Sequence, residues 1–259
     1  MQSDPQDLLD FYVKTFNTVD FIASDPVSVP HLFSKKQDIE ISGFWTAILS
    51  WGQRKTILKN AGRLFERMDN APYDFVCNHQ EKDKMRFSEF KHRTFQPEDA
   101  YYFLDFLQWY YRQYDSLETG FAQFLPQDAV HVGGALQGFH ELFFSLPHAP
   151  KRCRKHVPTP QRGSTCKRMN MFLRWMVRKD NKGVDFGLWE GIRPSQLLIP
   201  LDVHVERVAR QLGLLKRLQV DWTAVLELSD QLRSFDPEDP VKYDFALFGM
   251  GVLEKNRHS

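Results

Sequence analysis

Apolar residues recur at three- and four-residue spacing along most of the chain, the period of helices that bury one face. From Asp99 onward, Ala100, Phe103, Leu104, Leu107, Tyr110, Tyr111 and Tyr114 form one such stripe. The segment 41–68 repeats the pattern, with Phe44, Ile48 and Trp51 on one face ahead of Ile57, Ala61, Leu64 and Phe65. A third helix is predicted to start near Lys167 and to bury Met169, Phe172, Leu173, Met176 and Val177. Asp202 and Asp221 each stand where an N-cap belongs, and Gly213 sits where the first of those helices should stop. Asp239-Pro240 opens a last helix with proline at its first position. No run of alternating β-branched residues is bounded by Asn-Gly or Asp-Gly turns, so the pattern predicts an all-α protein.

Two breaks punctuate the helices. Residues 147–163, PHAPKRCRKHVPTPQRG, are rich in proline and cations and read as an exposed connection. Residues 180–200 contain Gly183, Gly187, Gly191, Pro194 and Pro200 and read as a long linker. Neither an internal repeat nor a low-complexity tract is found.

Composition narrows the picture. With 259 residues the chain is long enough for one large or two small domains with a real core. Hydrophobic residues at 42% and a mean hydropathy of -0.46 suit an ordinary water-soluble globule. No stretch approaches the roughly 18 apolar residues that span a bilayer, and MQSDPQDLLDF lacks the pattern of a secretory leader. A cytoplasmic monomer without a membrane partner is expected. Cys77, Cys153 and Cys166 are too few and too irregular for a disulfide framework or a four-thiolate iron–sulfur nest. The 22 phenylalanines are the one compositional excess, and core packing is their default role.

A formal charge of +1 argues, taken alone, against a nucleic-acid partner. Its distribution argues the other way. Between Leu142 and Lys179 there are ten Lys and Arg and no Asp or Glu, which leaves −9 on the rest of the chain. A basic face on an acidic body is an electrostatic footprint for DNA, with Lys151, Arg152, Arg154, Lys155 and Arg162 placed to touch phosphates without reading sequence.

Within that stretch, Gly163-Ser-Thr-Cys-Lys167-Arg-Met-Asn-Met-Phe-Leu173 is a small-residue turn running into an amphipathic helix. Such a start presents free backbone N–H groups and the positive end of the helix dipole, which suits a phosphate. A cation is disfavoured there, and Arg162 and Arg168 add like-charge repulsion, so a lysine at 167 suits the neutral amine that nucleophilic attack requires. The ordinary reading is a solvated lysine in a first turn. The second candidate segment is Leu201-Asp202-Val-His-Val-Glu-Arg-Val-Ala-Arg-Gln-Leu-Gly213. Asp202 as an N-cap needs no further role, yet a carboxylate aimed by backbone N–H groups can also stabilise a developing cation in a cleft. His204 reads as a packing neighbour of Asp202.

Together these segments resemble the helix-hairpin-helix DNA glycosylases typified by endonuclease III and the archaeal 8-oxoguanine glycosylase. The family hairpin L-P-G-V-G-x-K-x-A is similar to GSTCKRMNMFL, with Lys167 four residues after Gly163. The family's V-D-T-H-V-x-R-V-x-x-R-L-G-L is similar to LDVHVERVARQLGL, with Asp202 as its aspartate. Ile48-Leu-Ser-Trp-Gly-Gln53 resembles the family's L-L-S-A-Q, and Tyr243-Asp-Phe-Ala-Leu-Phe-Gly-Met-Gly251 resembles its closing helix, here without the cluster cysteines that follow in endonuclease III. The sequence is also similar to a bacterial family without an assigned function. Two departures stand out. Thr165 replaces the second hairpin glycine, and the 35 residues from Lys167 to Asp202 are closer to the archaeal 8-oxoguanine enzymes than to endonuclease III.

The resemblance implies two helical subdomains flanking a cleft. One would comprise residues 1–40 plus 201–259, and the other residues 41–200 with the helix-hairpin-helix at about 157–178. It implies a bifunctional glycosylase and abasic-site lyase acting on duplex DNA with a damaged base, 8-oxoguanine first, without metal or cofactor. Lys167 and Asp202 would be catalytic. Gln53, Arg154, Lys155, Arg162, Gly163, Ser164, Thr165 and Arg168 would hold DNA, with Gln53 and Trp51 filling the gap left by an everted base. Trp51, Trp175, Trp189 and Trp222 are candidate walls of the base pocket. Two other readings compete: a non-catalytic helix-hairpin-helix module that only binds DNA, and a small metal site from Cys153, His156 and Cys166 with His148.

Overall fold

The computed structural model describes residues 4–257; residues 1–3 and 258–259, the outermost ends of the expected subdomains, lie outside it. The helices are α1 (Pro5–Phe16), α2 (Val19–Ile22), α3 (Lys36–Leu49), α4 (Arg54–Glu66), α5 (Pro72–Asn78) and α6 (Pro97–Tyr111). They continue as α7 (Leu117–Ala122), α8 (Gly133–Phe143), α9 (Lys167–Val177), α10 (Val203–Gln211), α11 (Trp222–Phe235) and α12 (Tyr243–Arg257). No strand occurs among the described residues, so the protein is all-α as its periodicity predicts.

Two helical lobes are in contact. In one, α1 and α10 both pack on α12. In the other, α3 packs on α9 and α4, and α7 on α8. The central helix is α3, which buries 11 of its 14 residues and so has no solvent face. At Gly43 a Cβ would stand 3.0 Å from Met176 Cε and 3.3 Å from the Phe172 ring, which is why α3 and α9 can approach so closely. Phenylalanines fill the rest: Phe44 meets Phe103, Phe139, Phe143 and Phe172 at ring-centroid distances of 5.7–5.8 Å. Most of the aromatic excess is therefore core.

Local signals set the helix starts. Asp4 caps α1 through Gln6 N–H at 3.0 Å ahead of Pro5, and Asp221 caps α11 through Ala224 N–H at 3.1 Å. Gly213 lies just past α10 with φ +72°. Elsewhere the structure departs from the spacing. The segment 41–68 is not continuous, because residues 50–53 turn between α3 and α4 and take Trp51 out of the helical stripe. Tyr114 lies beyond the end of α6. Asp239 makes no side-chain cap, and a 3-10 turn, Pro240–Lys242, leads into α12.

Both predicted breaks are more ordered than their composition suggests. In 147–163, Cys153, His156, Val157 and Thr159 are buried. The cause is Asp99, fully buried at the start of α6. It accepts Cys153 Sγ–H at 2.7 Å, lies 3.2 Å from His156 Nε2, pairs with Arg152 at 2.8 Å and accepts Gln96 N–H at 2.8 Å. Burial pushes its carboxyl up, but the bonds from His156 and Cys153 pull it below the usual carboxylate range. Asp99→Ala is expected to cost about 3 kcal/mol in a denaturant titration, since it leaves those buried donors unmatched. A loss under about 1 kcal/mol would show that other contacts hold the loop.

The 180–200 stretch is not a free linker. Phe186 N–H donates to Trp175 O at 2.8 Å, and Leu188 and Trp189 N–H donate to Met176 O at 2.7 and 3.0 Å, so the chain folds back on the end of α9. Arg174 and Arg178 then tie several segments together. Arg174 pairs with Asp185 at 3.2 Å and with Asp244 on α12; Arg178 pairs with Asp180 at 2.8 Å, Asp185 at 3.2 Å and Asp239 at 2.9 Å. This buried network joins α9 in one lobe to α12 in the other and fixes the cleft between them.

Candidate functional site

The α9 start is built from local constraints. Pro158 and Pro160 lack the N–H groups that an α-helical first arm would use, and that arm is a 3-10 turn, Pro160–Arg162. Gly163 then takes φ +70°, a left-handed conformation in which a Cβ is strained, and reverses the chain. Cys166, also left-handed, precedes α9 and provides no side-chain cap, so the first N–H groups of the helix face the cleft unscreened by a cap. The motif is thus hairpin-like, with a shortened first arm.

Lys167 and Asp202 meet across the cleft. Asp202 Oδ1 accepts the N–H groups of His204 at 2.8 Å and Val205 at 3.0 Å, which orients the carboxylate at the start of α10. Its other oxygen, Oδ2, points at Lys167 Nζ, 3.7 Å away. The Lys167 side chain is 30% exposed and that of Asp202 14%, so both remain open to a ligand. They line a cavity of about 920 Å³, a size that encloses a small-molecule ligand or nucleotide.

Other predicted residues divide clearly. Trp51, Gln53, Lys155, Ser164, Thr165 and Arg168 line the same cavity. Gly52 between Trp51 and Gln53 has φ +103°, and a Cβ there would fall 2.6 Å from Arg93 Nη1; Arg93 in turn lies 4.5 Å over the Trp51 ring. Arg168 donates to Ile48 O at 2.6 Å and Lys155 O at 3.0 Å, and burial pulls its guanidinium down to about 10. It braces the wall and is poorly placed for a phosphate. Arg154, over the Phe144 ring at 5.1 Å, and exposed Arg162 and Gly163 lie outside the cavity lining.

Three tryptophans are not pocket walls. Trp175 is fully buried in α9, Trp189 donates to buried Glu40 at 2.8 Å, and Trp222 packs edge-on to His131 at 6.2 Å; none lines the cavity. The basic face is also smaller than formal charge implies. Arg174 and Arg178 are buried in ion pairs and Arg152 is engaged by Asp99, which leaves Lys151, Lys155 and Arg162 as its fully exposed cations before α9. The metal reading loses its ligands: Cys153 and His156 turn to Asp99 and His148 to Asp105 at 3.2 Å, and no group of three or more His, Cys, Asp or Glu among the described residues could hold an ion.

Sequence reasoning missed Asp25, Arg174, Asp244, Phe21 and Phe248, all in the cavity wall. Burial pushes the Asp244 carboxyl up to about 7, with Arg174 opposing and the Asp202 and Asp185 charges assisting. A lone aspartate in the apolar run of α12 and a lone arginine between Leu173 and Trp175 were the signals available.

The fold and cleft define a class: an all-helical, two-lobed protein with helix-hairpin-helix-like turns, a scaffold compatible with DNA binding. No helix among the described residues is long and apolar enough to cross a membrane. A family model described as "Protein of unknown function (DUF2400)" matches residues 25–253, and the chain belongs to that family. No curated protein and no solved structure matches the chain.

Proposed function

We propose that the protein binds duplex DNA over the mouth of the cleft with one nucleotide turned into the cavity, and that Lys167 and Asp202 act on it as a DNA glycosylase and abasic-site lyase. The observation that carries the chemistry is the pair itself, an amine and an oriented carboxylate 3.7 Å apart in a cavity of nucleotide size. In this reading the lobes divide near residues 40 and 200, and an oxidised purine such as 8-oxoguanine is the first substrate to test.

A base stacked in a duplex is out of reach, so the nucleotide is everted at a cost of a few kcal/mol, which Trp51 and Gln53 at the cleft rim offset by filling the gap. As the C1′–N bond breaks, Asp202 stabilises the cation that develops at C1′. The departing base leaves with the bonding pair and takes up the proton released by the Lys167 ammonium. The Lys167 amine then bonds to C1′, the ring C1′–O4′ bond opens and O4′ is protonated, giving an iminium. That iminium acidifies C2′; loss of a C2′ proton expels the 3′ phosphate with its bonding pair and nicks the strand.

A second reading has an observation in its favour. The scaffold, its hairpin-like turns and the exposed cations suffice for DNA binding without chemistry, and a lysine paired with a carboxylate is also a stable structural arrangement. A panel of duplexes, each with one altered base or an abasic site, separates the two when binding and nicking are both measured. Binding with nicking at the abasic site and at one or more damaged bases supports the enzyme. Binding everywhere with no nick and no released base leaves the non-catalytic module, and absence of binding refutes both.

A further inference from the structure

The cavity wall holds a carboxyl that the proposed chemistry does not use. Asp25 lies in the turn between α2 and the 3-10 turn Pro26–Ser28, and its Oδ1 accepts Val27 N–H at 3.0 Å. It is 7% exposed, it lines the cavity, and no ion pair joins it to a described residue. Capping alone does not account for it. A three-residue turn is capped equally well by a serine, which buries no charge, whereas a carboxyl withheld from both water and a counter-ion is a costly choice. The cost is recovered when a ligand supplies the missing donors.

The surroundings say which ligand. Arg174, Arg54 and Lys167 act on Asp25 through space, so it stands in the same field as the reacting pair. Phe21 and Phe248, with ring centroids 6.2 Å apart, add apolar surface for a flat ring. An ionised carboxylate only accepts hydrogen bonds. Among nucleobases, the guanine-type edge presents two donors side by side, the ring N1–H and the exocyclic amine. The Watson–Crick edges of thymine, cytosine and adenine each present an acceptor next to their donor.

We infer that Asp25 is the base-reading residue of the cavity, accepting the N1–H and the exocyclic amine of a guanine-type base. This rests on the proposed eversion of a nucleotide into the cavity, but it does not require the base to be cut out. An Asp25 carboxylate would be repelled by a base edge that turns a carbonyl toward it, so selectivity follows from rejection as well as attraction.

Binding to uncleavable duplexes tests it. The probes carry a 2′-fluorinated 8-oxoguanosine, the same nucleoside without its exocyclic amine, or a tetrahydrofuran abasic analogue, and affinities are measured by competition. The wild type should prefer the first over the third by roughly ten- to hundredfold, with an intermediate value for the second. In Asp25→Asn and in Asp25→Ser, which keeps an oxygen to cap Val27, the ratio of first to third should fall to about one. Thermal unfolding identifies which variants are folded. A folded variant that keeps the wild-type ratio overturns the assignment, as does a wild type that shows no preference. A wild type that shows the preference but never nicks DNA would retire the glycosylase while leaving Asp25 as a base reader.

Discussion

Lys167→Gln is expected to lower strand nicking at an abasic site by at least about 10³-fold, because no other amine stands beside the Asp202 carboxylate to form the iminium. Glutamine has similar length and helix propensity, so α9 should form and DNA binding should fall only modestly. The measurement is a single-turnover nicking assay run beside a band-shift titration. Equal loss of nicking and binding would make Lys167 a DNA contact; unchanged nicking would remove it from the chemistry altogether.

Asp202→Asn is the second large effect. Asparagine caps a helix as well as aspartate does, so His204 and Val205 N–H keep an acceptor and α10 keeps its start. What disappears is the negative charge aimed at Lys167 and at the forming sugar cation. Base excision should fall by about 10²–10⁴-fold, while affinity for the damaged duplex changes by less than about tenfold. The informative comparison is between two substrates. A duplex that is already abasic needs no base departure, so nicking there should suffer less than excision of a damaged base. Equal losses in excision and binding would reduce Asp202 to a cap.

The parts of this protein that were legible in the sequence are those fixed by short-range physics. Asp202 and Asp221 announce themselves because a cap acts within three residues, and Lys167 because a turn and a helix start adjoin it. The aromatic residues were less legible. Trp175, Trp189 and Trp222 have the size a base pocket wants, but spacing does not distinguish a ring facing the cleft from one facing the core, and Trp189 is claimed by Glu40 from 149 positions away. The 180–200 stretch looks like a linker because glycine and proline punctuate it, yet its N–H groups satisfy the open carbonyls at the end of α9.

Charge misled in a similar way. Arg174 and Arg178 count as cations of a basic face in the sequence, whereas the fold buries them against Asp180, Asp185, Asp239 and Asp244. The partners lie as far away as 70 residues, beyond any local pattern. For the same reason Asp25 passes for an ordinary turn aspartate before Pro26, and only the burial around it reveals a carboxyl facing the cavity without an ion-pair partner.

Borohydride trapping on a duplex with a single abasic site tests the central claim most directly, because reduction fixes the iminium before the strand is released. The account predicts a covalent protein–DNA adduct that maps by peptide mass spectrometry to the segment containing Lys167. No adduct, or an adduct on another residue, with a duplex that the protein demonstrably binds would contradict it.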